Sequence, residues 1–151
     1  MMRRKDKEIN SREEIETVIR RAKVCRLAMI DENEPYIVPL NFGYANNHLY
    51  FHSAPEGRKI DILRRNSRIC FEFDIDHQVV TGAKACKWGF GFQSVIGTGE
   101  AFFIDELAAK KKALDVIMRQ YTEKTFEYDE QVVKKIVVFG VAIESVSGKR
   151  S

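Results

Sequence analysis

Short runs of β-branched, aromatic and aliphatic residues, separated by turn-forming residues, make up most of the sequence after residue 23. Runs of this kind are typical of β-strands. We predict six strands, at residues 24–30, 36–44, 48–52, 69–73, 92–104 and 136–146. Because turns such as Asn46-Asn47 join neighbouring strands and strands do not alternate regularly with helices, the pattern predicts an antiparallel sheet rather than a doubly wound parallel one.

Three segments have helical periodicity instead. Ser11 followed by Glu14 is a capping-box pattern ahead of apolar residues at helical spacing. Residues 58–65 and 107–121 are predicted as the second and third helices. The expected architecture is mostly β, of the α+β class, with the six strands curled into a barrel and the helices packed outside. We expect residues 1–10 to be frayed and residues 11–149 to form a single domain.

Composition restricts the class of protein further. The chain has 151 residues, of which 44% are hydrophobic, and this fits one domain with a real core. Its 25 Lys and Arg residues against 22 acidic ones give a net charge of +3, which is too mild to indicate a nucleic-acid partner. No run approaches the roughly 18 apolar residues of a membrane helix, and the amino terminus lacks a secretory pattern. With three widely spaced cysteines expected as free thiols, these features predict a cytoplasmic protein.

The most informative segment leads from the strand ending near His52 through Pro55 and Gly57 into the second helix. Arg58 and Lys59 fall in the first turn of that helix, where the helix dipole disfavours cations. A bound phosphate removes this conflict, because the helix amides, Ser53, Arg58 and Lys59 would then form an anion site. The alternative is that both cations point into water. Neither a Walker loop nor a GxGxxG pattern is present.

Two further features bear on a binding site. His52 is interpreted either as a hydrogen-bonded histidine at the barrel rim or as a donor and proton source above a ligand. Pro39 and Asn41 are unfavourable inside a regular strand, so residues 36–44 are expected at an edge, at a bulge or against a ligand. No CxxC, HxxxH or HExxH pattern is present, and we predict no metal site; one assembled from Cys70, Cys86 and His77 is the remaining alternative.

These residues form a pattern that resembles a known group of proteins. The segments that carry it are Pro39-Leu40-Asn41-Phe42-Gly43-Tyr44, Tyr50-Phe51-His52-Ser53-Ala54 with Gly57 and Lys59, Cys86-Lys87-Trp88, and Ser94-Val95-Ile96 with Gly99 and Ala101. The sequence is similar to the flavin-binding split-barrel superfamily of pyridoxamine phosphate oxidase, and within it to the 5-nitroimidazole antibiotic resistance proteins. The resemblance extends over about residues 10–149.

The resemblance implies a split barrel that forms a homodimer, with flavin mononucleotide (FMN) in each of two clefts between protomers. It places the FMN phosphate near Lys59, Arg58, Ser53 and Ala54, and His52 close to the flavin. The residues that it places along the isoalloxazine and ribityl groups are Pro39, Leu40, Asn41, Ser94 and Val95. The phosphate site inferred from the residues and the one implied by the family therefore coincide.

Two departures from the family pattern modify this expectation. Phe92 stands where relatives tend to have tyrosine, so a hydroxyl contact is lost. The chain ends at Gly148-Lys149-Arg150-Ser151, without room for the arginine-rich substrate segment of pyridoxamine phosphate oxidases. Oxidation of pyridoxamine phosphate is therefore not the expected activity.

The resulting hypothesis is an FMN-dependent oxidoreductase. It would take hydride from a reduced nicotinamide nucleotide and reduce a small electron-poor acceptor such as a nitroaromatic, with His52 as the proton donor. The main alternative is a non-catalytic protein that binds or stores flavin or haem. A third, nucleic-acid binding through the basic amino-terminal segment, ranks last because aromatic and basic residues do not interleave there. No membrane partner is expected.

Overall fold

One antiparallel sheet of eight strands organises the chain in a computed structural model that describes residues 2–151. The strands are β1 (Glu8–Ile9), β2 (Cys25–Asp31), β3 (Glu34–Leu40), β4 (Gly43–Ala45), β5 (His48–Ser53), β6 (Arg68–Val80), β7 (Gly89–Ile104) and β8 (Val137–Arg150). The helices are α1 (Arg12–Arg21), α2 (Arg58–Arg65), α3 (Leu107–Arg119) and α4 (Glu130–Lys135). Within residues 2–151, no helix is long and apolar enough to cross a membrane.

The strand order is β3-β2-β6-β7-β8-β5-β4, and β1 pairs with β8 outside this path. Every pairing is antiparallel, and the two end strands, β3 and β4, do not close the sheet on each other. The predicted mostly β split barrel with helices outside is therefore confirmed. The predicted number of six strands is wrong.

One extra strand arises because residues 36–44 do not form a single strand. The chain leaves the ladder between β3 and β4, where the backbone N–H of Phe42 donates to the hydroxyl of Tyr121 at 3.1 Å. The Phe42 side chain is fully buried against Phe73, with ring centroids 4.7 Å apart. Tertiary contacts at Phe42 thus divide the run.

The other extra strand is β1, in the segment expected to be frayed. Glu8 and Ile9 pair with Lys149 and Gly148 of β8. Ile9 is 3% exposed, because it packs beside Gly148 and the first helix. Burial of this one apolar residue orders the end of the segment, so the expectation of a frayed segment fails at residues 8–9.

The segment predicted as irregular, residues 76–91, is mostly a continuation of the β6–β7 hairpin. The register between the two strands shifts between Ile75 and Gln78, where Asp76 has a φ of 58°. The alternation of side chains along β6 is interrupted at this irregularity, and pairing with β7 then continues from Gln78 with Gly91 to Val80 with Gly89. Residues 81–88 form the tip.

The helices pack against both faces of the sheet. The predicted cap of α1 is confirmed, since the Ser11 hydroxyl accepts from the Glu14 N–H at 3.3 Å. Apolar residues of α1 and α2 enter the main core, and α3 with α4 forms a second, smaller core against β8. α4 was not predicted; it begins at an Asp129 cap and buries Val133.

Candidate functional site

The end of β5 presents His52 on the outer side of the barrel. Its strand neighbours Phe51 and Ser53 are buried, 0% and 9% exposed, while His52 is exposed. This alternation is the one expected for a strand with one buried face. β5 pairs with β8, where His52 lies opposite Val138.

His52 contacts the residue that interrupts the neighbouring run. The Asn41 amide nitrogen lies 3.3 Å from Nε2 of His52. An amide nitrogen only donates, so in this arrangement Nε2 accepts and the ring proton is carried by Nδ1. Partial burial and then the positive charge of Lys59 lower the pKa of His52 below its usual value. Both effects favour the neutral imidazole, which has one N–H.

Lys59 is the cation that faces His52. It is half-buried in the first turn of α2, and burial lowers its pKa. Among residues 2–151, the ion pairs of the protein do not include Lys59. A partly desolvated ammonium without a carboxylate partner favours an anionic ligand.

Arg58 is held differently. Its Nε donates to Asp31 at 3.0 Å, and its guanidinium lies 4.3 Å from the ring centroid of Tyr36. Asp31 also accepts from Arg65 at 2.8 Å, and these hydrogen bonds, first that of Arg58, lower the pKa of Asp31. The contact uses Nε, so an anion must share Arg58 with Asp31. Lys59 is thus the freer of the two predicted phosphate ligands.

The start of α2 has backbone donors that no side chain caps. Gly57 is the N-cap residue, with a φ of 138° that favours glycine, and no side-chain hydrogen bond caps the helix there. Ser53 lies at the end of β5, and the exposed Ala54 follows it into the connection. The local arrangement fits the predicted anion site at a helix N-terminus.

Pro39 and Leu40 belong to β3, at one end of the strand order. Pro39 lies opposite Arg26 of β2 and is exposed, and Leu40 is half-buried. The edge position expected from the proline is confirmed. We refer to the set Pro39, Leu40, Asn41, His52, Ser53, Ala54, Arg58 and Lys59 as the His52 cluster.

The remaining predicted residues, Ser94 and Val95, lie in β7, three strands from β3. Ser94 pairs with Lys149 of β8, eleven residues along that strand from Val138, the partner of His52. Across the sheet the path is shorter, because Pro39, Arg26, Glu72 and Ile96 form one row over four strands, about 14 Å at about 4.8 Å per strand. Val95 is 0% exposed, so neither its side chain nor its backbone is accessible to a ligand in the single chain.

Ser94 lines a surface groove of about 440 Å³. The other residues of this groove, which we call the Ser94 groove, are Met2, Glu8, Ile96, Ser147 and Lys149. The Lys149 ammonium lies 5.5 Å from the ring centroid of Phe92. The structure therefore places the Ser94 groove on the same face of the sheet as Pro39 of the His52 cluster, three strands away.

Sequence reasoning missed Asp31 and Tyr36, the residues that hold Arg58. Asp31 is the last residue of β2 and Tyr36 lies inside β3, and the sequence marked residues 31–34 only as a polar break between two strands. Within residues 2–151, no group of three or more His, Cys, Asp or Glu side chains is arranged to hold a metal ion. Cys25, Cys70 and Cys86 are free thiols, as expected.

Comparisons with known proteins agree with this architecture. A crystal structure of a candidate 5-nitroimidazole antibiotic resistance protein from Bacteroides thetaiotaomicron VPI-5482 is 37% identical, with a TM-score of 0.86 over 95% of this chain and 86% of that one. A crystal structure of an FAD-binding protein from Mesorhizobium loti is 29% identical, with a TM-score of 0.68 over 93% of this chain and 95% of that one.

A curated relative and a family model extend the comparison to sequence. An uncharacterized protein of Rhizobium meliloti (strain 1021) is 34% identical over 91 residues, which are 60% of this chain and 53% of the relative. The chain thus spans about half the length of this relative. The family model for pyridoxamine 5'-phosphate oxidase matches residues 11–150. With nearly the whole chain matched and the split barrel in place, the protein belongs to the pyridoxamine 5'-phosphate oxidase family.

Proposed function

We propose that this protein is an FMN-dependent oxidoreductase that takes hydride from a reduced nicotinamide nucleotide and reduces a small electron-poor acceptor, such as a nitroaromatic. The observation that carries the proposal is Lys59, a half-buried cation without an ion-pair partner in residues 2–151, beside His52 at an uncapped helix start. The resistance protein from Bacteroides thetaiotaomicron supports the acceptor class.

The phosphate end of the flavin would lie against Lys59 and the first turn of α2. The ammonium supplies charge, and the backbone N–H groups after Gly57 supply directed donors. Arg58 adds its free N–H groups while Asp31 holds its Nε. A monoester phosphate suits this set, because the donors surround a small volume at one helix end.

We further propose that the protein is a homodimer, as its resemblance to the split-barrel flavoproteins implies. A second copy that brings its Ser94 groove to the His52 cluster would complete the site. Each cleft would then contain residues of both protomers.

When bound, the flavin supplies the two-electron redox chemistry. His52 would hold and deliver a proton at Nδ1, because Asn41 occupies Nε2 and keeps this tautomer. To deliver that proton the ring must first be protonated by solvent, because the acid is the imidazolium and not the neutral imidazole; the lowered pKa makes this cation a stronger acid.

The first test identifies the cofactor. The protein is purified, its absorbance spectrum is recorded, and the small molecule released on denaturation is identified by mass spectrometry. FMN in stoichiometric amount is expected. Haem with a Soret band, FAD alone, or no retention of added FMN would each overturn the FMN assignment.

The second test separates an enzyme from a flavin-storage protein, which the FAD-binding relative favours as the alternative. Oxidation of a reduced nicotinamide nucleotide is followed with a 5-nitroimidazole as acceptor. His52→Ala should lower kcat by about 10²-fold, the usual contribution of a proton donor, with unchanged FMN affinity. His48→Ala is the control, because His48 hydrogen-bonds to the Asn46 carbonyl and packs beside the Tyr50 and Phe102 rings rather than beside Asn41. Flavin binding without turnover would establish the storage function.

A further inference from the structure

A groove separates α3 from the outer face of the sheet. The residues that form its two sides are Tyr50, Phe102 and Ile104 of the strands and Ala109, Lys112 and Ala113 of the helix. The helix residues have the spacing i, i+3 and i+4, which places them on one stripe of α3. The two alanines on this stripe leave room between helix and strands, and the groove has a volume of about 290 Å³. Ligand pockets begin at about 300 Å³, so this one suits a small molecule.

The floor of the groove depends on a glycine in β8. Tyr50 of β5 and Phe102 of β7 both lie opposite Gly140, one on each side of it in the sheet. A Cβ at Gly140 would lie 2.5 Å from the Phe102 ring, so any other residue there would push the ring away. The two aromatic rings therefore form a continuous apolar floor, with no side chain of β8 between them.

His48 holds these two rings in place. Its imidazole stacks on Tyr50 with ring centroids 6.2 Å apart and lies edge-on to Phe102 at 6.0 Å. Nδ1 of His48 is 2.7 Å from the Asn46 carbonyl, which only accepts, so Nδ1 carries the ring proton. The rings are thus ordered before any ligand binds, which reduces the entropy cost of binding.

Lys112 is the free cation among three consecutive lysines of α3. Lys110 donates to two backbone carbonyls, and Lys111 pairs with Glu130 at 3.1 Å. The ion pairs formed within residues 2–151 do not include Lys112. In the same part of the chain, none of the residues that line the groove is acidic. The groove therefore combines aromatic walls with an uncompensated positive charge.

We infer that this groove binds a small planar aromatic carboxylate. Tyr50 and Phe102 would contact the ring of the ligand, since offset and edge contacts between aromatic groups are favourable. The Lys112 ammonium would pair with the carboxylate, and the Tyr50 hydroxyl can donate to it as well. The positive charge beside the rings favours an aromatic acid over a neutral aromatic molecule or an apolar protein segment.

The groove lies beside the His52 cluster and contains none of its residues. Tyr50 precedes His52 by two residues on the same face of β5, which is about 7 Å along the strand. Ile104 shares a cross-strand row with His52, because both lie opposite Val138. The inference does not depend on the proposed flavin site, since no residue of the groove is used there.

The first experiment tests the role of the charge. The purified protein is titrated with 1-naphthoate by isothermal titration calorimetry, and with 1-naphthamide as the matched neutral ligand. Lys112→Gln should raise the Kd of 1-naphthoate about two- to fivefold, the effect of losing an exposed ion pair, and leave the Kd of 1-naphthamide unchanged. Lys111→Gln is the control, because Lys111 already pairs with Glu130 and its loss should change neither Kd.

The second experiment tests the position of the ligand. Ala109 is half-buried on the stripe of α3, so Ala109→Leu fills the groove without entering the buried core, and the Kd of 1-naphthoate should rise at least about tenfold. In the wild-type protein, the NMR amide shifts caused by 1-naphthoate should be confined to β5, β7 and α3. Circular dichroism and the unfolding temperature show whether each variant is folded, and the shift map decides the question if Ala109→Leu is not.

Three results would overturn the inference. The first is no saturable binding of 1-naphthoate, and the second is equal weakening by Lys111→Gln and Lys112→Gln. The third is a set of amide shifts centred on the exposed Trp88, which would indicate nonspecific contact with an apolar surface. If Ala109→Leu instead changes the oligomeric state and the wild-type protein binds no 1-naphthoate, a second copy covers the groove and the ligand site is refuted.

Discussion

Replacement of Lys59 by Gln should weaken FMN binding strongly. A hydrogen bond between charged groups contributes about 1.5–3 kcal/mol when its surroundings exclude some water, and Lys59 is half-buried. Loss of this contact corresponds to about a 10- to 100-fold increase in Kd. No protein carboxylate within residues 2–151 pairs with Lys59, so its removal leaves no partner unsatisfied in the free protein.

The neighbouring cation provides an internal comparison. Arg58→Gln should raise Kd less, by under about tenfold, because Asp31 already holds the Nε of Arg58 and shares its charge. Asp31→Asn should tighten FMN binding by about two- to fivefold, since an exposed ion pair that restrains Arg58 contributes about 1 kcal/mol or less. The order of effects distinguishes a phosphate site from general electrostatic attraction.

The assay is a titration of flavin-free protein followed by quenching of flavin fluorescence, with riboflavin as the matched ligand that lacks the phosphate. Lys59→Gln should leave riboflavin affinity unchanged. Equal weakening of both ligands, or a larger effect of Arg58→Gln than of Lys59→Gln, would refute the reasoning. In the same variant the pKa of His52 should rise, measured by NMR, because the Lys59 charge helps to lower it.

Three further predictions concern the scaffold. Burial, and then the neighbouring Asp74, raises the pKa of Glu72 to about 7. The protonated carboxyl therefore contributes to stability below the unfolded-state pKa near 4.5, and this contribution is lost as the pH rises to about 7. In wild type the urea midpoint should decrease over this pH range, and Glu72→Gln should remove the decrease. Lys110 is 8% exposed and donates to the backbone carbonyls of Val133 and Ile136, at 3.3 and 2.8 Å. Lys110→Met leaves both carbonyls without this donor and should lower the free energy of unfolding by about 1–3 kcal/mol. Urea denaturation measures this change. Cys86 is exposed and should react with a thiol reagent in the native protein, whereas Cys25, fully buried with a raised pKa, should react only on unfolding. Equal reaction rates would contradict that assignment.

Local sequence patterns predicted the sheet well and its interruptions poorly. Strand alternation and the Ser11 cap depend on neighbouring residues, so they are visible in the sequence. The break at Phe42 depends on Tyr121, 79 residues away; Pro39 and Asn41 indicated an irregularity in this run but not the position of the break. The ordered β1 likewise depends on burial of Ile9 against the end of the chain.

The candidate site shows the same division. The placement of Arg58 and Lys59 at a helix start followed from the Pro and Gly turn, but their different surroundings did not. Asp31 lies 27 residues before Arg58, and only the folded sheet brings the two together. The separation of Ser94 from His52 likewise follows from strand register, which composition and spacing do not determine.

The face of the sheet that carries Ser94 connects stability with the proposed function. Glu72 points outward there beside the exposed Ile96, and Arg26 is the cation between Glu72 and Asp74. A single protomer leaves this mixture of apolar and unevenly paired charged groups in water, next to the Ser94 groove.

If a second copy covers the face to complete the flavin site, folding, association and FMN binding are thermodynamically linked. The unfolding temperature should then rise with protein concentration, and rise further with FMN at a fixed concentration. A monomer that binds FMN tightly and unfolds at the same temperature at all concentrations would contradict a site divided between two chains.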